Sequence, residues 1–496
     1  LISPPAALAD DDVAPLAWRP VIAIAGVAVL LLVVTASRYG WHRDELYFLE
    51  AGKHLAWGYV DQPPFTPFVA RIADEVAPGN LVVLRIAPML STALLVVVGA
   101  LIAREMGGQR FAQVMAAAAV AFGGFALGVG HLLATAAFDI AAWMALLWIF
   151  LRILRTADPR WWLAFGAVAG VAMLNKNLVV LLGLALAFGL VAARRRDVAS
   201  LRWLGAGGGV AVLIALPNLV WQSQHDWPQL HMAEALNERL AAENRATLLP
   251  LQLLFNGPAL VYALWRGARW LARASEATPF RAALWAWPAG LVITFATGGR
   301  PYYCLALATT VVIAGIVAIE RAGSRRALVW CVALNALVSV PAALPLLPVT
   351  TLPTTHLDTL NEAVAETVGW PQLVDQVAGV VQALPTSEQH DVILLTGSYG
   401  EAGAIDRFGP ARGLPHAYSP HNSYPYFRQP TNDGATVVAV RMSMGELAPL
   451  FDQCAQVATV DNGVDVQNEV QGTPILVCRG LKGTWRDLWP RLRKLS

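Results

Sequence analysis

The chain has 496 residues, of which 56% are hydrophobic and 14% charged, with a net charge of +2 and a mean hydropathy of +0.51. A soluble domain carries about 25% charged residues, so disorder, collagen-like repeats and an ordinary cytosolic enzyme are excluded. No basic block exceeds Arg194-Arg195-Arg196, and nothing points to nucleic acid as a partner.

The chain starts without Met and with an acidic stretch, Leu1 to Asp12, which reads as a trimmed or partial N-terminus. Apolar runs of about 17 to 23 residues then recur, each long enough to cross a hydrocarbon layer of roughly 30 Å. They predict about eleven membrane helices, at 21–37, 81–103, 111–132, 138–154, 161–174, 178–193, 204–221, 248–265, 282–296, 302–319 and 327–347. The fifth and sixth are short, joined only by Asn175-Lys176-Asn177, and read as a tilted hairpin. Many of the 18 Trp lie near span ends, where amphipathic rings prefer to sit.

The loops set the orientation. One alternate set holds Arg104, Arg110, Arg152, Arg155, Arg160, Arg194 to Arg196, Arg202, Arg266, Arg269, Arg273, Arg281, Arg321, Arg325 and Arg326; the other set is poorer in basic residues. Positive charge marks the cytoplasmic side. The N-terminus is therefore expected inside, with the loops 38–80 and 222–247 and the tail after Leu347 outside.

From about residue 350 the texture changes: a Pro-rich linker at 344–353 leads to a helical stretch at 357–382 and strand-like runs at 391–396, 435–441 and 474–478. The expected architecture is a polytopic α-helical membrane protein, with a transmembrane domain at 1–349 and a small extracytoplasmic α/β domain at 350–496. Cys304 and Cys331 fall in apolar spans and read as small hydrophobes. Cys454 and Cys478 pair only if the tail faces an oxidising compartment.

The first outer loop carries Arg43-Asp44-Glu45-Leu46-Tyr47-Phe48, then His54 and Trp57-Gly58-Tyr59-Val60-Asp61-Gln62-Pro63-Pro64. Partial desolvation at the membrane surface would make an acid there a better proton acceptor. The plainer reading has Asp44 cap an interfacial helix with Glu45 in its first turn. His131 ends the third span and Asp139 opens the fourth; a carboxylate at that depth is costly unless paired or functional. Lys176 is the one charge of its hairpin, a snorkelling lysine or a phosphate ligand. Arg300, in Thr297-Gly298-Gly299-Arg300-Pro301-Tyr302-Tyr303, is either an anchor or one wall of an anion site whose glycines expose backbone N–H groups.

At these residues the chain resembles the bacterial family 39 glycosyltransferases of the GT-C superfamily, relatives of the protein O-mannosyltransferases and the aminoarabinose transferase. Asp44-Glu45 matches the acidic pair of the first outer loop, whose aspartate the resemblance makes the catalytic base. Asp139 matches a second acidic position at the fourth span. Lys176 matches a lysine that binds lipid phosphate, and Gly299-Arg300-Pro301-Tyr302-Tyr303 a basic-aromatic motif. Gln62 stands where aminoarabinose transferases have Lys, and Tyr47 where they have Arg, so that sugar and lipid A are not carried over. The resemblance implies an inverting transfer from a polyprenyl-phosphate-linked sugar to an extracytoplasmic glycan, lipid or protein, in a bacterial cytoplasmic membrane. It makes Asp44, Glu45 and Asp139 catalytic. Lys176, Arg300 and Arg43 become phosphate ligands, and His54, Gln62, His131 and Tyr302 substrate-pocket residues. No cofactor is required; a divalent cation between carboxylates stays open. In the tail, Thr396-Gly397-Ser398-Tyr399-Gly400-Glu401-Ala402-Gly403 and Ser419-Pro420-His421-Asn422-Ser423-Tyr424 belong to the same resemblance. The alternative is a lipid-linked-sugar flippase, which calls for midplane charges and matched halves. Neither is seen in the sequence.

Overall fold

The computed structural model describes residues 13–495; the acidic start lies outside them. In chain order the principal helices up to the linker are α1 (Trp18–Thr35), α2 (Arg43–Lys53), α3 (Phe65–Val76), α4 (Leu81–Glu105), α5 (Arg110–Ala121), α6 (Gly124–Gly130), α7 (Thr135–Thr156), α8 (Trp161–Met173), α9 (Val179–Ala192), α10 (Leu201–Gln224), α11 (Pro228–Asn256), α12 (Val261–Arg273), α13 (Arg281–Ala296), α14 (Leu305–Arg321) and α15 (Arg325–Ala343). Among the described residues six helices are long and apolar enough to cross a membrane, or up to eight if each of two bent pairs counts as one span.

Two of the expected spans differ. The third is two helices, α5 and α6, bent by 57°. The eighth, expected at 248–265, breaks at Gly257 (φ +113°), where the chain turns by 86° between α11 and the helix that follows. Much of the expected loop 222–247 is helical, as the first half of α11. The α8–α9 hairpin is present as two short apolar helices.

The chain divides into two compact units. The first comprises the residues up to Thr35, Arg85–Trp227 and Leu236–Leu344; the second comprises Ala36–Leu84, Pro228–Ala235 and Pro345–Ser496. The break in the chain thus falls at 344/345 against the 349/350 read from composition. The first loop also groups with the tail instead of with the spans. Its helices explain this: α2 is mixed in polarity and α3 amphipathic, so each needs a partner other than lipid.

The first unit packs Ala-rich α5 with α7 and α14 into a continuous apolar core. Charged side chains are buried in this unit as well, Arg85, Glu105 and Arg155 among them. Glu105 is wholly buried and accepts from Arg155 Nε at 2.6 Å, Arg152 Nη1 at 3.0 Å and Trp148 Nε1 at 3.3 Å. Buried charge survives only when paired in this way.

The second unit holds a five-stranded sheet in the order β2-β1-β3-β5-β4, formed by β1 (Ile393–Thr396), β2 (Ala417–Tyr418), β3 (Val437–Val440), β4 (Phe451–Thr459) and β5 (Pro474–Leu481). β1 runs parallel to β2 and β3, whereas β5 is antiparallel to β3 and β4. The apolar runs of β1 and β3 are buried along their whole length, as expected of parallel strands covered on both faces. Cys454 and Cys478 are register partners on β4 and β5 and form a disulfide.

Candidate active site

In the second unit the site begins with α2. The sequence places a cap at Asp44, but the cap is His42, whose Nδ1 accepts the Asp44 N–H at 3.1 Å while Glu45 Oε2 accepts the His42 N–H at 2.8 Å. In this capping box Glu45 is 0% exposed and its side chain is engaged in the helix start. Asp44, one position earlier, keeps a side chain 31% exposed. Its Oδ1 accepts from the Tyr399 hydroxyl at 2.8 Å.

Tyr399 opens the helix Tyr399–Phe408, capped by Ser398. The glycine-rich stretch around it has a steric purpose. A Cβ on Gly400 would lie 3.0 Å from Arg43 Cβ, and one on Gly403 2.9 Å from Leu46 Cβ. Glycine at both positions lets this helix approach α2 closely enough for Tyr399 to reach Asp44. His421 stacks on Tyr399 with centroids 4.9 Å apart. Burial pushes the His421 imidazole down to about 3, with Lys494, Arg441 and Arg43 adding to that direction, so it is neutral at physiological pH.

Arg43, expected to bind phosphate, pairs with Glu469, which also accepts from Arg441 Nη2 at 2.8 Å; Arg441 Nη1 in turn donates to Glu401 at 3.0 Å. Arg43 therefore belongs to an internal ion-pair chain, and this geometry gives no support to the phosphate role. His54 stacks on Phe427 at 4.7 Å with Glu50 3.5 Å away. Glu50 and Asp406 share Arg428. Gln62 is buried, its backbone oxygen accepting the Tyr59 N–H at 2.9 Å, and its Nε2 has no hydrogen-bond partner among the described residues. Asp61 accepts from Tyr47 at 2.8 Å and Ser423 at 3.2 Å.

In the first unit the chemistry gathers at the α8–α9 turn. Asn175 Nδ2 donates to the Thr135 carbonyl at 2.9 Å and ties the turn to the start of α7. Lys176 Nζ donates to the Tyr302 hydroxyl at 3.0 Å and lies 5.0 Å from the centroids of both Tyr302 and Tyr303. Asp139, one turn into α7, is an electrostatic neighbour of Lys176; its Oδ1 is buried without a hydrogen-bond partner among the described residues. Lys176, Asp139 and Tyr302 are thus brought together.

Two further candidates lie in the first unit. His131 is buried, with Nε2 2.9 Å from the Thr35 carbonyl, and so joins the end of α6 to the end of α1. Arg300 is exposed and lies near Tyr303. The N–H groups of Gly298 and Gly299, however, donate to Phe295 at 3.2 Å and Thr294 at 2.9 Å. They close the end of α13 and are not offered to an anion. Among the described residues no group of three or more His, Cys, Asp or Glu is arranged to hold a metal. Sequence reasoning missed Tyr399, Tyr303 and the Asp61–Tyr47 pair as parts of the site; Tyr399 lies 355 residues from its partner Asp44, and no local signal links them.

A family model described as dolichyl-phosphate-mannose-protein mannosyltransferase matches residues 61–221. No curated protein sequence matches the chain. Among solved structures, the crystal structure of ArnT from Cupriavidus metallidurans bound to undecaprenyl phosphate is similar at 17% identity and TM-score 0.59, over 92% of this chain and 97% of that one. The same protein in the apo state gives a TM-score of 0.58. The arabinofuranosyltransferase AftD from Mycobacteria is similar at 14% identity and TM-score 0.52, over 96% of this chain and 41% of its own. The chain is a multi-pass membrane protein with the fold seen in ArnT.

Proposed function

We propose that the chain is an inverting glycosyltransferase that moves a sugar from a polyprenyl-phosphate-linked donor to a hydroxyl acceptor, on the extracytoplasmic side of a bacterial cytoplasmic membrane. The acceptor class is a glycan, lipid or protein of the cell envelope. The observation that carries this reading is Lys176: one ammonium set against two tyrosine rings beside Asp139. The same fold in ArnT holds undecaprenyl phosphate. The Cys454–Cys478 disulfide supports an oxidising compartment for the tail.

In this reading Lys176 binds the donor phosphate, with Arg300 as a second cation. The acceptor oxygen forms its bond to the anomeric carbon while the bond from that carbon to the phosphate oxygen breaks, and the phosphomonoester leaves with the electron pair. Charge grows on that leaving group, so a fixed cation stabilises the transition state more than the ground state. Asp44 takes the acceptor's proton, help typically worth about 10²–10⁴-fold. Asp139 orients the sugar. A monophosphate leaving group needs less neutralisation than a diphosphate, so the reaction calls for no obligatory metal.

Incubation of the purified chain with radiolabelled polyprenyl-phosphate sugars tests this. With water as the acceptor in place of the envelope hydroxyl, free sugar and free polyprenyl phosphate should appear together, and Asp44→Asn should abolish their release while protein yield and donor binding persist. Near-normal turnover in Asp44→Asn removes that residue from the base role; label that crosses a vesicle membrane unconsumed supports the flippase instead.

A further inference from the structure

Two carboxylates of the second unit are each capped by a tyrosine hydroxyl. Tyr399 donates to Asp44 Oδ1 and Tyr47 to Asp61 Oδ1, both at 2.8 Å. The two tyrosine rings pack against each other with centroids 4.7 Å apart. Asp44 and Tyr47 stand three residues apart on α2 and so share one face of it. Asp61 is thereby tied to the face that carries Asp44. Ser423 completes the arrangement: its hydroxyl donates to Asp61 at 3.2 Å and accepts the Val60 N–H at 3.2 Å. Tyr47 from α2, Ser423 from the segment before the turn Tyr424–Phe427, and Asp44 act on Asp61, as do Tyr59 and Tyr399, while Arg43 Nε and His42 Nδ1 lie 3.8 Å and 3.9 Å from the Asp44 carboxylate.

We propose that Asp61 is a positioning residue for Asp44, a carboxylate whose charge sets how firmly the base holds a proton. The proposal rests on the reading of Asp44 as the base. Neighbouring carboxylates titrate as a coupled pair, and the coupling is reciprocal: whatever Asp44 does to Asp61, Asp61 does to Asp44. Burial pushes the Asp61 carboxyl up to about 6; the Tyr47 and Ser423 hydrogen bonds pull it down, and the Asp44 charge adds to the rise. As pH rises through that value Asp61 ionises and Asp44 becomes the stronger base. A transferase built this way loses turnover as pH falls through about 6.

Infrared pH titration of the full chain reads the coupling without any substrate. The difference between the wild-type and Asp61→Asn titrations should contain a carboxyl band titrating near pH 6, which assigns that band to Asp61. In Asp44→Asn it should move down by about one pH unit, since a neighbouring negative charge is gone. In Tyr47→Phe, which keeps the ring and removes the donor, it should move up; this variant assigns the band if Asp61→Asn does not fold. An Asp61 band at the same pH in the wild-type chain and in Asp44→Asn overturns the proposal. Turnover of Asp44→Asn separates the two ideas: if it is abolished while the band stays put, only the role of Asp61 falls. If turnover persists while the band moves, the coupling stands and the base reading falls.

Discussion

Asp44 shows how little of a site's geometry one position carries by itself. The acid pair was legible because Asp44 and Glu45 sit just beyond a span, but the division of labour between them was not. It is settled by His42, which takes the cap and leaves Glu45 to close the box and Asp44 to meet Tyr399. Lys176 was legible as the one charge between two apolar helices, and its aromatic partners were not, because Tyr303 enters from far along the chain. Lys176→Ala removes a charge-assisted contact worth about 1.5–3 kcal/mol. The apparent donor KM should therefore rise by roughly tenfold to a hundredfold, read from donor titrations. An unchanged KM reassigns Lys176 to anchoring.

At the scale of elements, apolar run length measures the quantity a bilayer imposes; it reads about eleven spans, whereas among the described residues six helices, or up to eight with the bent pairs, are long and apolar enough to cross. It cannot see a bend inside a run that stays apolar. Gly257 is the clearest instance: its φ of +113° is outside the range of other L-residues, and a Cβ there would fall on the Asn335 side-chain amide. Gly257→Ala should destabilise the first unit by more than about 1 kcal/mol, seen as a lower unfolding midpoint in detergent; a midpoint equal to wild type contradicts the strained bend. In the tail the apolar strands β1, β3 and β5 were legible, whereas two-residue β2 and exposed β4 carry no pattern strong enough to read. The glycine-rich stretch at Gly397 to Gly403 looks like a turn in sequence, and only packing against α2 gives it a reason.

For the molecule as a whole, pH acts on the second unit from two directions. Burial pushes the Glu366 carboxyl up to about 7, with Arg43 pulling down and Glu469 adding to the rise, and Asp61 up to about 6. Both bind a proton more tightly folded than unfolded, so their contribution to stability is full below the ordinary carboxyl range and lost as pH rises through about 6 to 7. Glu469 works the other way. Burial raises it, but Arg43 and Arg441 hold it at about 2, so its contribution is present above 4.5 and lost as pH falls through about 2. His421, held at about 3, works against this fall up to its ordinary value of 6.5, so Glu366→Gln is the clean readout: its unfolding midpoint should fall less than that of the wild-type chain between about pH 5 and about pH 8, and an unchanged pH dependence contradicts the account. The most direct test of the whole account is a density map of the full chain prepared with polyprenyl phosphate. The account predicts phosphate density within ion-pair reach of Lys176 Nζ, flanked by Tyr302 and Tyr303. An ordered lipid phosphate bound elsewhere, with Lys176 still resting on the tyrosines alone, would contradict it.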